Sequence, residues 1–241
     1  MADNMAGNKA EGAKFITFEG GEGIGKSTQI KLLHQRLVVA GIDNVTTREP
    51  GGSPGAEIIR DLLVSGKPGR WQPLTDTLLH FAARNEHLVN FISPTLGEGT
   101  TILCDRFVDS TRAYQGAAQG IDPAAIDQLL AIVVGDFNPD LTLILDLPVE
   151  VGLQRAAARQ ADISARSESP AQRAIEDRYE RMGADFHQKL RAAFLEIAKT
   201  EPDRCVLIDA SGTVEQVADK IWAAVQTKFP DWVSRTVVRE K

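Results

Sequence analysis

The sequence contains little cysteine, no long apolar run and no excess of positive charge. Its 241 residues include two cysteines, Cys104 and Cys205, and both lie in apolar runs, which favours buried, reduced thiols over a disulfide. No apolar segment is long enough to span a bilayer, and residues 1–13 are polar, without the apolar core of a signal peptide. We therefore expect a cytoplasmic protein with no membrane partner.

Charge and histidine spacing exclude two further kinds of protein. With 33 acidic residues against 27 lysines and arginines, the net charge is −6 and the pI is near 5.3, which argues against a partner that is a nucleic acid polymer. The 4 histidines are scattered without the spacing of metal ligands, and no Ser/His/Asp arrangement can be read. The function must therefore come from another motif.

Residues 14–29, KFITFEGGEGIGKSTQ, carry the strongest functional signal. They combine a short apolar strand pattern, a glycine-rich turn and the start of an amphipathic helix. Gly20, Gly25, Lys26 and Ser27 match G-x-x-x-x-G-K-[ST], the phosphate-binding P-loop, in the context that it requires. The alternative is a glycine-rich turn without a ligand. The predicted ATP-binding residues are Gly20, Gly21, Glu22, Gly23, Ile24, Gly25, Lys26, Ser27 and Thr28.

Short apolar segments alternate with helical patterns along the chain. Strands are predicted at residues 14–19, 44–47, 101–104, 141–145 and 204–208. This alternation predicts an α/β protein with a three-layer P-loop NTPase fold, in which a five-stranded parallel sheet carries helices on both faces. We expect one kinase domain over residues 14–228, with tails at 1–13 and 229–241.

The carboxyl ends of the strands are the expected ligand-binding edge. Ser27 and Asp105 are the predicted metal residues, with Asp105 acting on Mg²⁺ through water. Asp146 ends another strand; for either aspartate the alternative is a helix cap or loop anchor. Arg48, Arg84 and Arg106 are candidates for a second phosphate or a base edge, against the alternative of solvated surface charges.

Residues 155–181 hold six arginines and no lysine. We predict a helix over 149–159, a mobile loop over 160–172 and a long helix over 174–199. The arginines fit either a salt-bridged surface helix or a lid, at about residues 160–173, that brings guanidinium groups onto the transferring phosphoryl group. The pattern alone leaves both interpretations open.

Taken together, the motifs resemble the bacterial thymidylate kinases (dTMP kinases) among the P-loop nucleoside monophosphate kinases. The resemblance runs from about residue 14 to 227. The matching stretches are FEGGEGIGKST at 18–28, TREPGGS at 47–53, FAARNEH at 81–87, CDRFVDSTRAYQG at 104–116, DRYE at 177–180 and DAS at 209–211. TREPGG together with DRF-x-x-S-x-x-AYQG is the most specific part. It implies phosphorylation of dTMP to dTDP with ATP and Mg²⁺, in dTTP biosynthesis, by a homodimer.

The resemblance also implies roles for individual residues. Arg106 is the implied dTMP phosphate ligand, and Glu22 the acid near the 3′-hydroxyl and the metal-bound waters. Tyr114 crowds the 2′ position, while Arg84 and Thr111 read thymine. The implied dTMP-binding set is Glu22, Arg48, Phe81, Arg84, Arg106, Ser110, Thr111, Tyr114 and Gln115, and the predicted catalytic set is Lys26, Glu22, Arg106, Arg159 and Arg166.

The sequence departs from the family pattern at two places. One subclass carries its catalytic arginine in the P-loop, where this chain has Gly23, so the chain resembles the subclass whose lid supplies the arginine. The candidates are Arg155, Arg159, Arg166 and Arg173, with Arg159 and Arg166 preferred. The family's stacking phenylalanine corresponds to His80, one residue before Phe81, and one helical step rotates a side chain by about 100°. Which ring covers thymine therefore stays open.

Three other functions share the P-loop. A deoxynucleoside kinase would need a carboxylate base for its hydroxyl acceptor, and Asp105 or Glu49 would have to supply it. A nucleotide-hydrolysing switch protein would release phosphate without an acceptor. A catalytically inactive binding module is disfavoured by the intact Lys26 and Ser27.

Overall fold

A parallel sheet forms the centre of the molecule. The computed structural model describes residues 9–64, 69–166, 179 and 182–232. The sheet has strand order β2-β3-β1-β4-β5, and every pair is parallel. Its strands are β1 Phe15–Glu19, β2 Asn44–Arg48, β3 Thr101–Asp105, β4 Leu141–Asp146 and β5 Cys205–Asp209. The five predicted strands are confirmed, each within one residue at its ends.

Helices cover both faces of this sheet. They are α1 Lys26–Val39, α2 Pro54–Val64, α3 Pro73–His87, α4 Ser93–Gly97, α5 Val108–Thr111, α6 Pro123–Val133, α7 Val149–Arg166, α8 Ala184–Thr200 and α9 Val214–Lys228. The π-helical turns Leu88–Ile92 and Arg112–Ala118 extend α3 and α5. Leu37 and Ile221 pack on one face, and Phe107 packs on the other. The predicted three-layer α/β fold is therefore confirmed.

Strand register brings the predicted site to one edge of the sheet. All five residues of β1 are buried, and β1 lies between β3 and β4. Asp105 is in register with Phe18 of β1 and with Arg48 of β2. The P-loop, Asp105 and Arg48 therefore lie beside one another, at the carboxyl ends where ligands bind in such sheets.

The predicted elements near the lid were partly wrong. Helix α7 continues to Arg166, so residues 160–166 are helical and the expected loop over 160–172 does not begin at 160. This stretch contains neither proline nor glycine, so no residue interrupts the helix. Helix α8 begins at Ala184, because Gly183 adopts an extended conformation before it. The remainder of the predicted lid, residues 167–173, lies outside the described residues.

The described parts of the expected tails, 1–13 and 229–241, contact the rest of the domain. The N–H of Ala10 donates to a carbonyl of α4, and the rings of Phe229 and Trp232 pack into the core with centroids 4.7 Å apart. The outer parts of both tails lie outside the described residues. Within the part of the chain that is described, no helix has the length and apolar composition needed to cross a membrane.

Candidate active site

The P-loop, residues 20–27, joins β1 to α1 through close backbone packing. Gly25 has φ 94°, in the left-handed region, and α1 begins at the next residue. Gly23 has φ 67°, and a Cβ at this position would lie 2.0 Å from the carbonyl oxygen of Gly152 in α7. Position 23 therefore has no space for an arginine or for any other side chain.

Lys26 is the first residue of α1 and is only 7% exposed. Its Nζ donates to the carbonyl oxygen of Gly21 at 2.8 Å. Burial lowers the pKa of the ammonium group to about 8, and Arg106 adds to this effect, while Asp105 and Glu22 oppose it. A phosphate beside Nζ would favour the charged form, so anion binding and protonation of Lys26 are linked.

Ser27 and Asp105 offer hard oxygen ligands next to the loop. The Ser27 hydroxyl donates to Asp105 Oδ2 at 3.1 Å, and Asp105 Oδ1 is buried without a hydrogen-bond partner in the described structure. The described residues contain no group of three or more His, Cys, Asp or Glu side chains able to hold a metal. Mg²⁺ commonly uses one or two protein oxygens and completes its shell with water and phosphate, so these two residues fit it.

Arg106 is held beside the P-loop by Glu22 and Tyr114. Its guanidinium donates to Glu22 Oε1 at 2.9 Å and lies 4.8 Å from the centroid of the Tyr114 ring. The Tyr114 hydroxyl donates to the same Glu22 oxygen at 2.6 Å. Burial disfavours the Glu22 carboxylate, but Arg106, Lys26 and the Tyr114 hydrogen bond outweigh it and lower its pKa to about 2. The Arg106 guanidinium and the Glu22 carboxylate are thus held together as an ion pair beside the P-loop.

Glu19, at the end of β1, holds the backbone that carries Arg106. It accepts from the N–H of Phe107 at 2.7 Å and from the N–H of Ser110 at 3.2 Å, and the Ser110 hydroxyl donates to it at 2.5 Å. Arg106 has φ 72°, an uncommon conformation for a non-glycine residue. Burial and the nearby Asp109 raise the pKa of Glu19 to about 8. Glu19 therefore stabilises the turn that aims Arg106.

Arg84 is buried beneath the other end of the cavity. Its Nε donates to Glu49 Oε2 at 2.8 Å, and its terminal nitrogens donate to Thr111 Oγ1 at 2.9 Å and to the carbonyl of Phe107 at 3.0 Å. Glu49 also contacts His87 Nδ1 at 3.2 Å. Burial opposes ionisation of Glu49, but Arg84 and His87 lower its pKa. The pair fixes Thr111 in a defined orientation.

One cavity of about 440 Å³ connects the loop to this buried pair. Its walls include the following residues predicted from sequence: Glu22, Gly23, Ile24, Gly25, Lys26, Ser27, Thr28, Arg48, Arg84, Asp105, Arg106, Ser110, Thr111, Tyr114, Gln115 and Arg159. Gly20 and Gly21 line a smaller neighbouring cavity of about 30 Å³. Arg48, half exposed, also pairs with Glu57 at 3.1 Å. The structure thus brings almost the whole predicted set together.

His80 lines this cavity, whereas Phe81 does not. The Phe81 ring is 2% exposed and belongs to the hydrophobic cluster beneath the sheet. The placement of Phe81 at the ligand is therefore corrected: helix α3 turns Phe81 into the core and its neighbour His80 toward the site.

The lid arginines differ in what the structure describes. Arg159, on α7, lines the cavity. Arg155 is exposed on the same helix. The backbone of Arg166 ends α7, but its side chain lies outside the described part of the chain, as does Arg173. Of the four candidates, Arg159 is therefore the one whose position at the cavity is described.

The structure adds residues that were not predicted to belong to the site. Glu19 and Asp76 are fully buried carboxylates, while Arg60 and Tyr179 line the cavity wall. Arg60 donates to the carbonyl of Pro50 at 2.6 Å. The position of Glu19 at a strand end was a usable signal, and Tyr179 belongs to the DRYE stretch at 177–180 that resembles the family, but no local pattern marked Asp76 or Arg60.

Asp146 behaves as a loop anchor. Arg191 on α8 donates to both of its carboxylate oxygens, at 2.7 and 2.9 Å. This two-point contact favours the anchor interpretation that the sequence left open.

Comparisons with known proteins agree with this geometry. A family model described as thymidylate kinase matches residues 18–221. The chain is 49% identical over 229 residues to a thymidylate kinase of Bradyrhizobium diazoefficiens, covering 95% of this chain and 96% of the relative. It is 53% identical over 207 residues to one of Caulobacter vibrioides, covering 86% and 93%. The crystal structure of thymidylate kinase from Ehrlichia chaffeensis matches with a TM-score of 0.68 and 33% identity, covering 89% of this chain and all of that one.

Proposed function

Because the chain belongs to the thymidylate kinase family, we propose that it transfers the γ-phosphoryl group of ATP to dTMP, forming ADP and dTDP for dTTP synthesis. The single observation that carries this proposal is the continuous cavity between the P-loop and the Arg84–Thr111 pair. A cavity with a phosphate loop at one end and a polar, buried recognition site at the other suits two nucleotides placed in line.

The donor half is formed by residues 20–28. Lys26 would hold the β- and γ-phosphates and offset the charge that develops during transfer. Ser27 and Asp105 would hold Mg²⁺, which supplies further positive charge to the phosphate oxygens when bound. Close packing at Gly23 leaves the P-loop without an arginine, which supports a lid origin for the catalytic one. Arg159 and Arg166 remain the proposed lid residues.

The acceptor half is built around Arg106 and Arg84. Arg106 would bind the dTMP phosphate, and Glu22 the 3′-hydroxyl, because both face the cavity beside the loop. Tyr114, fixed by its bond to Glu22, would occupy the space that a 2′-hydroxyl needs. Arg84 and Thr111 would bind thymine, with His80 rather than Phe81 as the ring at the base. Arg48, Ser110 and Gln115 complete the proposed site.

No side chain is needed as an obligatory base. The second pKa of a phosphate monoester is about 6, so the acceptor oxygens are largely ionised at neutral pH. A nucleoside kinase would need Glu49 or Asp105 as base. Glu49 is engaged by Arg84 and His87, and Asp105 accepts from Ser27. These contacts favour a monophosphate acceptor over a nucleoside.

A coupled ADP-release assay tests the proposal by offering dTMP and thymidine side by side. We expect turnover of dTMP and little of thymidine. Equal use of thymidine would contradict the proposal, as would a rise in rate from pH 7 to 9 that Asp105→Asn abolishes. ADP release without either acceptor would favour a switch protein.

Three further expectations, on location, oligomeric state and the catalytic lid arginine, remain proposals. We propose that the protein acts in the cytoplasm and that it forms a homodimer. Light scattering on the purified protein would measure its oligomeric state, and cell fractionation would locate it. Arg159→Ala is expected to lower kcat with little change in the dTMP KM. Unchanged kcat would move the catalytic role to Arg166 or another lid residue.

A further inference from the structure

Asp76, in the first turn of α3, is a fully buried carboxylate behind the wall of the cavity. Its Oδ2 accepts from Gln115 Nε2 at 3.1 Å, from Gln119 Nε2 at 3.3 Å and from the Tyr179 hydroxyl at 3.0 Å. His80 Nε2 lies 3.9 Å from the same oxygen. Three of these four neighbours, Gln115, Tyr179 and His80, line the cavity. Asp76 therefore contacts three residues of the cavity wall from the side that faces away from the cavity.

This carboxylate determines how the Gln115 amide is turned. An ionised carboxylate accepts hydrogen bonds and cannot donate them, and Gln115, Gln119 and Tyr179 all donate to this one oxygen. Gln115 must therefore direct its NH₂ group, not its carbonyl, at Asp76. The same nitrogen lies 3.2 Å from the Tyr179 hydroxyl oxygen, which occupies the second N–H. The carbonyl oxygen is the polar atom of Gln115 that remains for a ligand.

The direction of hydrogen bonding at the Thr111 hydroxyl is also fixed by a neighbour. Its hydroxyl oxygen accepts from Arg84 at 2.9 Å, and a guanidinium has no acceptor to offer in return. The hydroxyl proton of Thr111 is thus available to the cavity. The wall presents a donor at Thr111 and an acceptor at Gln115.

We propose that Asp76 is a positioning residue that makes the acceptor site select a pyrimidine with a ring N–H. It does so by holding the Gln115 carbonyl as the acceptor for that N–H. A 4-keto pyrimidine offers a carbonyl and a ring N–H, which complement this wall. A 4-amino pyrimidine offers an amino group and a ring nitrogen without a hydrogen. Its amino donor would face the Thr111 donor, and its ring-nitrogen acceptor would face the Gln115 acceptor. The inference rests on the proposed function, since it assumes that the base lies at this wall.

The test compares Asp76→Asn with the wild type on dTMP, dUMP and dCMP. The asparagine has nearly the same shape but carries an N–H₂ group, so it permits the Gln115 amide to turn over. We expect kcat/KM for dTMP to fall by about ten- to a hundredfold, mainly through KM, because one buried polar contact is lost. The dTMP-to-dCMP preference should fall by about tenfold or more, while kcat and the ATP KM change little.

Gln119→Ala is the matched control, because Gln119 donates to the same carboxylate oxygen without lining the cavity. It should keep the dTMP-to-dCMP preference. An unchanged preference in Asp76→Asn, or an equal loss in Gln119→Ala, would overturn the inference.

A measurement on the wild type covers the case in which Asp76→Asn does not fold. As competitors of dTMP, dUMP should inhibit and dCMP should not, and equal inhibition by both would also overturn the inference. If the wild type fails to phosphorylate dTMP at all, the proposed function fails instead.

Discussion

Raising the pH above 8 is expected to weaken ATP binding through the loss of one proton from Lys26. The ammonium group is 7% exposed, and its burial, with Arg106 nearby, lowers its pKa to about 8 in the free protein. Phosphate oxygens placed at Nζ stabilise the protonated form and so raise this pKa. Because the bound state then holds the proton more tightly than the free state, binding above pH 8 must take up a proton.

The magnitude follows from the free-state pKa. At pH 9.5 about one Lys26 in thirty remains protonated, so the apparent Kd for ATP should be about thirtyfold weaker than at pH 7 if only the charged form binds. Proton uptake should be near zero at pH 6.5 and approach one proton per ATP at pH 9.5.

Titration calorimetry in two buffers of different ionisation enthalpy measures this uptake directly. Lys31→Ala, which removes an exposed lysine from the same helix, should leave it unchanged. Lys26→Ala should abolish it and remove most activity, since one preorganised donor is worth about 3 kcal/mol or more. Glu19 has its pKa near 8 as well, so Glu19→Gln is measured separately and should retain the uptake. A Kd that changes less than threefold, with no uptake at pH 9.5, would refute the reasoning.

Four other substitutions test individual contacts. Arg84→Ala should raise the dTMP KM strongly and spare ATP; equal loss of ATP binding would make Arg84 structural. Gly23→Ala places a Cβ against the carbonyl of Gly152 and should lower kcat by about a hundredfold through displacement of the loop, and wild-type kinetics would contradict this. Phe81→Ala should lower the free energy of unfolding by about 3–5 kcal/mol in urea titrations. His80→Ala should instead raise the dTMP KM with little change in the urea midpoint; the reverse pattern would restore Phe81 to the ligand site.

The sequence by itself determined the sheet and the phosphate loop. Four strands are short, mostly apolar runs, and β2 is rich in β-branched residues. The loop motif occupies contiguous residues between a strand and a helix, so its conformation depends on local dihedral and hydrogen-bond preferences. Parallel strands then bring their carboxyl ends to one edge, which is why Asp105 and Arg106 were placed correctly beside the loop.

Only the tertiary structure decided which side chains face the ligand and what holds them. Phe81 and His80 differ by one helical step, and their exchange between core and cavity depends on how α3 packs. The buried acids Glu49 and Asp76 acquire partners 35 and 103 residues away, at Arg84 and Tyr179. A local pattern carries no information about such pairs, because burial and long-range contact create both the partner and the electrostatic environment of each carboxylate.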